Sequence, residues 1–447
     1  MQKYIDEMIS SLKKLISVNS VAGKSEAGAP FGSEINRALK YALELSERLG
    51  FRVKNLDGYC GYAETGEGEI FAVLCHLDVV PFNRADWKYD PLGGEIDGGR
   101  LYGRGALDDK GPTIAALFAV KRLMDEGFRF KKTARFVFGL DEEGGEWKSI
   151  DYYRKKEGMP PSGIAPDADF PVINSEKGKV NFRLTAKVPA NCPVLDFRAG
   201  TRANIVPDNA HTVVIESYGL AVAVEKYGLN AEKLPETKLK SMRSDSSLLK
   251  ISAAGRAAHG AHPENGDNAA VKLLKFFNLQ GTEPFASMYA RLSDYYGGGL
   301  KIACRDDISG PLTVNAGIFE MSDPSRISVE IDVRYPHNTD ADIIADIIKK
   351  DKLFSSEKLS FHKPLYIPAE DTLIQTLLYA YNKVTGESAA PVSIGGATFA
   401  RALDYGAAFG PVFPGAVSTI HEANENIAIA DFLKVAEIYY EAFKNLL

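Results

Sequence analysis

The sequence predicts an α/β protein: a mixed, largely parallel sheet flanked by helices, interrupted by an inserted α+β domain. Three observations carry this prediction. First, residues 70–75 and 134–140 are short, almost wholly apolar stretches that read as strands buried on both faces, and residues 112–124 between them read as a helix. Strands alternating with helices favour parallel pairing. Second, after Asn174 apolar and polar residues alternate, as in half-exposed antiparallel strands. Third, helical spacing returns from about Ile367, so the C-terminal segment completes the first domain. The expected boundaries are 1–180 and 365–447 for that domain and 181–364 for the insertion.

The elements follow in chain order. Ile5, Met8, Ile9, Leu12, Leu15 and Ile16 recur every three or four positions, which predicts an amphipathic helix over 5–16; residues 35–49 repeat the pattern. In the helix over 112–124, Pro112 falls in the first turn, where its missing N–H costs nothing. A strand is expected at 170–173. In the insertion, strands are expected at 180–188, 211–217, 248–254, 311–319 and 326–334, and two helices, 373–384 and 429–446, close the chain.

Composition narrows the function. The 447 residues suffice for two or three domains, and 45% hydrophobic with 25% charged residues is a globular balance. A net charge of -6 without a long basic run argues against nucleic acid as a partner. Charged residues interrupt the first sixteen positions, so no export signal is expected; residues 407–417, the most apolar stretch, contain Gly410, Pro411, Pro414 and Gly415, so no membrane span is expected. Four unclustered cysteines (Cys60, Cys75, Cys192, Cys304) suit a reducing cytoplasm.

The informative residues are His, Asp and Glu at strand ends. His76-Leu77-Asp78 directly follows an apolar strand, where functional groups gather in open α/β sheets. Positions i and i+2 of an extended segment share a face, so Asp78 can hold one imidazole nitrogen while the other binds a metal. In Gly103-Arg104-Gly105-Ala106-Leu107-Asp108-Asp109-Lys110-Gly111, Asp108 stands where a dinucleotide fingerprint needs its third glycine. The loop is either a solvated turn or a carboxylate presented to a cation. Asp141-Glu142-Glu143 closes the next strand with three acids that repel one another unless a positive charge sits there. Asp167 and Asp169 precede a further strand, and His421 lies in Ser418-Thr419-Ile420-His421-Glu422-Ala423-Asn424-Glu425. Neither the His-Glu-x-x-His pattern of single-zinc proteases nor a Gly-x-Ser-x-Gly elbow is present.

In this order, His76-x-Asp78, the Gly103–Gly111 loop, Glu142-Glu143, a further Asp and a late His421 resemble the dinuclear metallopeptidases of clan MH, which include aminoacylases, carboxypeptidases, desuccinylases and dipeptidases. Asp108-Asp109-Lys110-Gly111-Pro112, Pro166-Asp167-Ala168-Asp169-Phe170-Pro171 and Gly395-Gly396-Ala397-Thr398 are most similar to the bacterial PepV-like dipeptidases. The resemblance implies a zinc-exopeptidase-like catalytic domain with an inserted lid. It also implies two divalent ions per chain, zinc first and manganese as the alternative, bridged by Asp108. His76 and Asp167 (or Asp169) would complete one ion's ligands, and Glu143 and His421 the other's. Asp78 would support His76, and Glu142 would act as general base on a water shared by the ions and then as acid toward the leaving amine. A cis peptide is implied after Asp108. In Gly255-Arg256-Ala257-Ala258-His259-Gly260, His259, rather than His262, matches the lid histidine that stabilises the oxyanion. Asn204, Arg334, Gly395 and Gly396 resemble the groups that hold a substrate's C-terminal carboxylate. His211, His337 and His362 match nothing in the pattern.

The expected activity is therefore metal-dependent hydrolysis of short peptides with a free C-terminus, by a cytoplasmic monomer. Two other readings stand beside it: an N-acyl amino acid deacylase or desuccinylase, and an inactive binding or scaffold protein on the same fold.

Overall fold

The computed structural model describes residues 1–216, 224–234 and 247–447. These form two compact units, one of Met1–Ser175, Leu365–Ser393 and Ala397–Leu447, the other of Glu176–Pro364 with Ile394–Gly396.

The first unit is built on a nine-stranded sheet in the order Arg52–Leu56, Cys60–Thr65, Thr133–Gly139, Ile70–His76, Ser162–Ala165, Gly406–Ala408, Ile173–Glu176 and Leu365–Tyr366, with Val392–Ile394 also paired to Ile173–Glu176. Its central four strands, from Thr133–Gly139 to Gly406–Ala408, are parallel, and Cys60–Thr65 on one side and Ile173–Glu176 on the other pair antiparallel to them, as Arg52–Leu56 does to Cys60–Thr65. All residues of Thr133–Gly139 are buried, and only Ile70 of Ile70–His76 is not, which explains their apolar composition. The helix Lys110–Asp125 is buried from Lys110 to Val120, so it carries apolar residues all round instead of a stripe. By contrast, Ile5–Ile16 and Ile429–Leu446 bury one face, through Met8, Leu12 and Leu15 and through Val435, Tyr439 and Phe443.

One expected element is corrected. The strand expected at 170–173 does not form as such: residues 170–172 lie outside any strand, between the short strands Ala168–Asp169 and Ile173–Glu176. Pro171 has no amide hydrogen to give a ladder, so pairing stops there. The peptide bonds Phe170–Pro171 and Asp108–Asp109 are both cis.

The second unit holds an eight-stranded sheet in the order Asn230–Lys233, Leu248–Ala254, Asn209–Ile215, Val194–Ala199, Thr313–Asp323, Arg326–Tyr335, Gly178–Lys187 and Phe354–His362. Its pairings are antiparallel. Val180, Phe182, Leu184 and Ala186 face a core shared with the helices Ala269–Leu279, Phe285–Leu292 and Ala341–Lys349, which accounts for the alternation seen in the sequence. The strand expected over 211–217 runs Asn209–Ile215, and Ser217 lies outside the described residues. Among the described residues no helix is long and apolar enough to cross a membrane.

Candidate active site

Strand ends and loops of the first unit gather the acids and imidazoles named from the sequence. His76 ends the strand Ile70–His76 and is buried. Its Nδ1 lies 3.0 Å from the main-chain oxygen of Asp78, and its Nε2 faces the carboxylates, 2.8 Å from Asp108 Oδ1 and 3.6 Å from Asp167 Oδ2. The Asp78 carboxylate, expected to orient this ring, lies 3.4 Å from Nδ1. That carboxylate also accepts the backbone N–H groups of Glu142 at 3.1 Å and Glu143 at 2.9 Å. Asp78 thus pins the acidic doublet beside the histidine it follows. Asp109 accepts the His76 amide at 3.0 Å and the Thr113 hydroxyl at 3.2 Å, so the two aspartates of the loop face different ways.

On the other side of Asp108, its Oδ2 lies 3.1 Å from His421 Nε2, which is 3.0 Å from Glu143 Oε1. Two groups of potential ligand atoms result, His76 with Glu142 and Asp167, and Asp108 with Glu143 and His421, each lying within 4.8 Å of one another. Asp108 faces both histidines, one through each carboxylate oxygen. Asp169 is exposed and does not join either group; its strand pairs with Val412 through the backbone.

The electrostatics state what this cluster lacks. Burial pushes the carboxyls of Asp167, Glu142 and Glu143 up, and the like charges of their neighbours push the same way. Burial also acts against charge on His76, but the hydrogen bonds to Asp108 and Asp78 outweigh it and hold the ring well above its ordinary value. Burial would raise Asp108 too, yet His421 and His76 keep it below the usual carboxylate range. Four carboxylates and two imidazoles packed this way call for positive charge between them. The mixed oxygen and nitrogen donor set fits divalent cations, and the residues present suit a pair of ions.

Within the second unit, the groups expected to meet substrate also converge. Arg334 gives two hydrogen bonds to the buried carboxylate of Asp332, at 2.6 and 3.3 Å, and one to the carbonyl of Gly395 at 3.0 Å. Gly395 packs closely on Ala261, where a β-carbon would come within 3.0 Å of the alanine side chain, and Gly396 continues the same segment. Asn204 accepts the Gly260 N–H through its carbonyl at 2.7 Å, and a β-bridge joins Ile205 to His259. His259 is exposed, and its Nδ1 accepts the Ala261 N–H at 3.3 Å, which leaves the proton of the neutral ring on Nε2. Desolvation, with Arg334, His262 and Lys179 nearby, depresses its proton affinity. His262 instead pairs with Glu264 at 3.2 Å.

The chain matches Peptidase family M20/M25/M40 over residues 72–445. It belongs to this family. It is 36% identical over 456 residues to "Putative dipeptidase YtjP" of Bacillus subtilis, covering 99% of this chain and 97% of that one. Human carnosine dipeptidase 1 superposes with a TM-score of 0.58 at 15% identity, covering 100% and 97% of the two chains. The YXEP protein of Bacillus subtilis, described as a dinuclear metal-binding peptidase of the M20 family, superposes with a TM-score of 0.52 at 10% identity over 100% and 99%. As an M20 peptidase the protein is a hydrolase acting on peptide bonds.

In each unit, some residues that hold these side chains in place carried no mark of that role in the sequence. Asp332 was visible two positions before Arg334, on the same face of a strand, but nothing marked it as the partner. Asn315, buried in the strand Thr313–Asp323, donates to the carbonyls of Ala203 at 2.8 Å and Ile205 at 2.9 Å and so holds the loop around Asn204. Glu425 carried a signal only as the fourth residue after His421, where it served to exclude a zinc-protease pattern.

Proposed function

We propose that this M20 peptidase is a dipeptidase that uses two divalent ions, with Asp108 bridging them, His76 and Asp167 completing one site and Glu143 and His421 the other. One observation carries the reading: the two oxygens of the Asp108 carboxylate face two different histidines, 2.8 Å and 3.1 Å away. When bound, such ions supply a polarising charge for the scissile carbonyl and lower the pKa of an attacking water. Asp78 keeps the Glu142 and Glu143 amides in place; Glu143 would serve as ligand, while Glu142 would take a proton from the water at its carboxylate and return it to the leaving amine. A neutral His259 donates from Nε2–H to the developing oxyanion, and Asn204, Arg334 and the Gly395–Gly396 backbone hold the substrate's terminal carboxylate. The carboxylates around Asp108 would neutralise a dipeptide's free amine, a group an N-acyl amino acid lacks. Zinc is the proposed ion and manganese the alternative.

The test is hydrolysis by the metal-loaded protein of Ala-Ala-type dipeptides beside N-acetyl and N-succinyl amino acids. Faster turnover of the dipeptides is expected; preference for the acyl compounds would replace the reading with a deacylase, and no hydrolysis of either would return it to a binding protein. We also propose a cytoplasmic monomer, in line with four free cysteines. Activity regained on mixing inactive Glu142→Ala and His259→Ala chains would overturn the monomer.

A further inference from the structure

Glu425 is fully buried, yet it is an anion 321 residues away in sequence from its cationic partner, Arg104. Its Oε2 accepts Arg104 Nη1 at 2.7 Å, and the carboxylate also accepts the backbone N–H groups of Gly105 at 3.1 Å, Leu107 at 2.9 Å and Asp108 at 3.2 Å. Its own carbonyl accepts the Gly103 N–H at 2.9 Å. Gly105 turns the loop with φ of +88°, a conformation that glycine adopts without steric cost, and this lets amides on both sides of the turn face one anion. Arg104 in turn donates through Nη2 to the carbonyl of His421 at 3.2 Å. The loop that presents Asp108 and the loop that presents His421 are therefore tied to each other through one buried ion pair.

We propose that Glu425, with Arg104, is a positioning residue that fixes the relative placement of Asp108 and His421, and so sets the affinity and geometry of the metal pair without touching either ion. The proposal rests on the reading of Asp108 and His421 as ligands. The physical ground is that a ligand's orientation is set by the hydrogen bonds behind it. Replacing Glu425 with glutamine leaves one uncharged acceptor oxygen to serve either the three amides of the Asp108 loop or Arg104, and puts an NH2 donor where the other oxygen stood. Replacing Arg104 with lysine keeps a cation for Glu425 but removes the planar fork that also reaches His421.

Cobalt(II) titration of the metal-free full-length protein, read by visible absorption and calorimetry, tests this. Wild type is expected to bind two ions. Glu425→Gln should bind both about 10–100-fold more weakly with a shifted cobalt spectrum. Arg104→Lys, a milder change that keeps the buried charge pair, should weaken chiefly the ion assigned to Glu143 and His421. Either variant, folded by circular dichroism, showing weakened cobalt binding and an altered spectrum supports the proposal. Wild-type affinities and an unchanged spectrum in Arg104→Lys and in folded Glu425→Gln overturn it. A wild type that takes up fewer than two ions overturns the metal reading itself, and this inference with it.

Discussion

The two candidate sites manage charge in opposite ways. In the first unit, carboxylates crowd two histidines, and the positive charge they call for must come from outside the chain. In the second unit, Arg334 is already paired with Asp332 and braced by Gly395, while His259 is held in its neutral form by its surroundings. One site is incomplete by itself; the other is pre-assembled. A substitution in the first should therefore be read in bound metal, and one in the second in stability and substrate affinity.

The largest expected effect comes from Asp108→Asn. On the proposed reading of Asp108 as the carboxylate shared by both ions, this change should remove both together and abolish turnover, whereas His76→Ala should weaken one site chiefly. Metal analysis after dialysis distinguishes the two, and independent loss of a single ion from Asp108→Asn would refute the bridge. Next comes Glu142→Ala, expected to keep both ions and lose about 10²–10⁴-fold in kcat. A loss below about tenfold would count against Glu142 as the base, and loss of metal would make it a ligand, a role its place beside His76 and Asp167 leaves open to test.

Arg334→Met breaks the comparison from the other side. It leaves the buried Asp332 with only the more distant Lys179 ammonium, 3.7 Å away, so a destabilisation of about 3 kcal/mol is expected in denaturant unfolding, with both ions still bound. Asp332→Leu added to Arg334→Met removes the carboxylate that Lys179 alone would have to compensate. That pair should recover much of the stability while KM for a dipeptide stays raised, because the guanidinium fork is still missing. A double variant with wild-type KM would remove Arg334 from substrate binding.

How far these sites were legible depended on the range of the contact. Local periodicity sufficed for the helices Ile5–Ile16 and Ile429–Leu446, whose apolar residues repeat at helical spacing, and for the strand Leu248–Ala254. The order of His76, Asp108, Glu142-Glu143, Asp167 and His421 was readable because each follows a strand or a glycine-rich loop. Pro171 hid a break that a propensity reading smooths over. The pairings of Glu425 with Arg104 and of Asn315 with Ala203 and Ile205 span 321, 112 and 110 residues, and no local pattern encodes a contact at that separation. The supporting residues thus stay hidden where those facing the proposed ions do not, since the latter need particular elements at particular strand ends and the former need only a partner somewhere in the fold.

The smallest expected effect contrasts two buried cations. Arg334 has a carboxylate, but Lys110 of the first unit, wholly buried at the start of its helix, gives its hydrogen bonds to the carbonyls of Leu15 at 3.2 Å and Val18 at 3.0 Å. Carbonyl dipoles compensate less than a full charge, and desolvation lowers the Lys110 pKa to about 7. In the unfolded chain the same amine titrates near about 10.4, so between these values the unfolded state binds the extra proton. Stability should therefore rise with pH from about 7 toward about 10 on account of this residue, and the burial penalty should be fully present below that window. Other groups titrate over the same range, so the measurement is the difference between wild type and Lys110→Met in denaturant unfolding at pH 7 and pH 9.5. Wild type should gain on the variant as pH rises. A constant difference across the window would mean that the two carbonyls hold the ammonium as effectively as Asp332 holds Arg334.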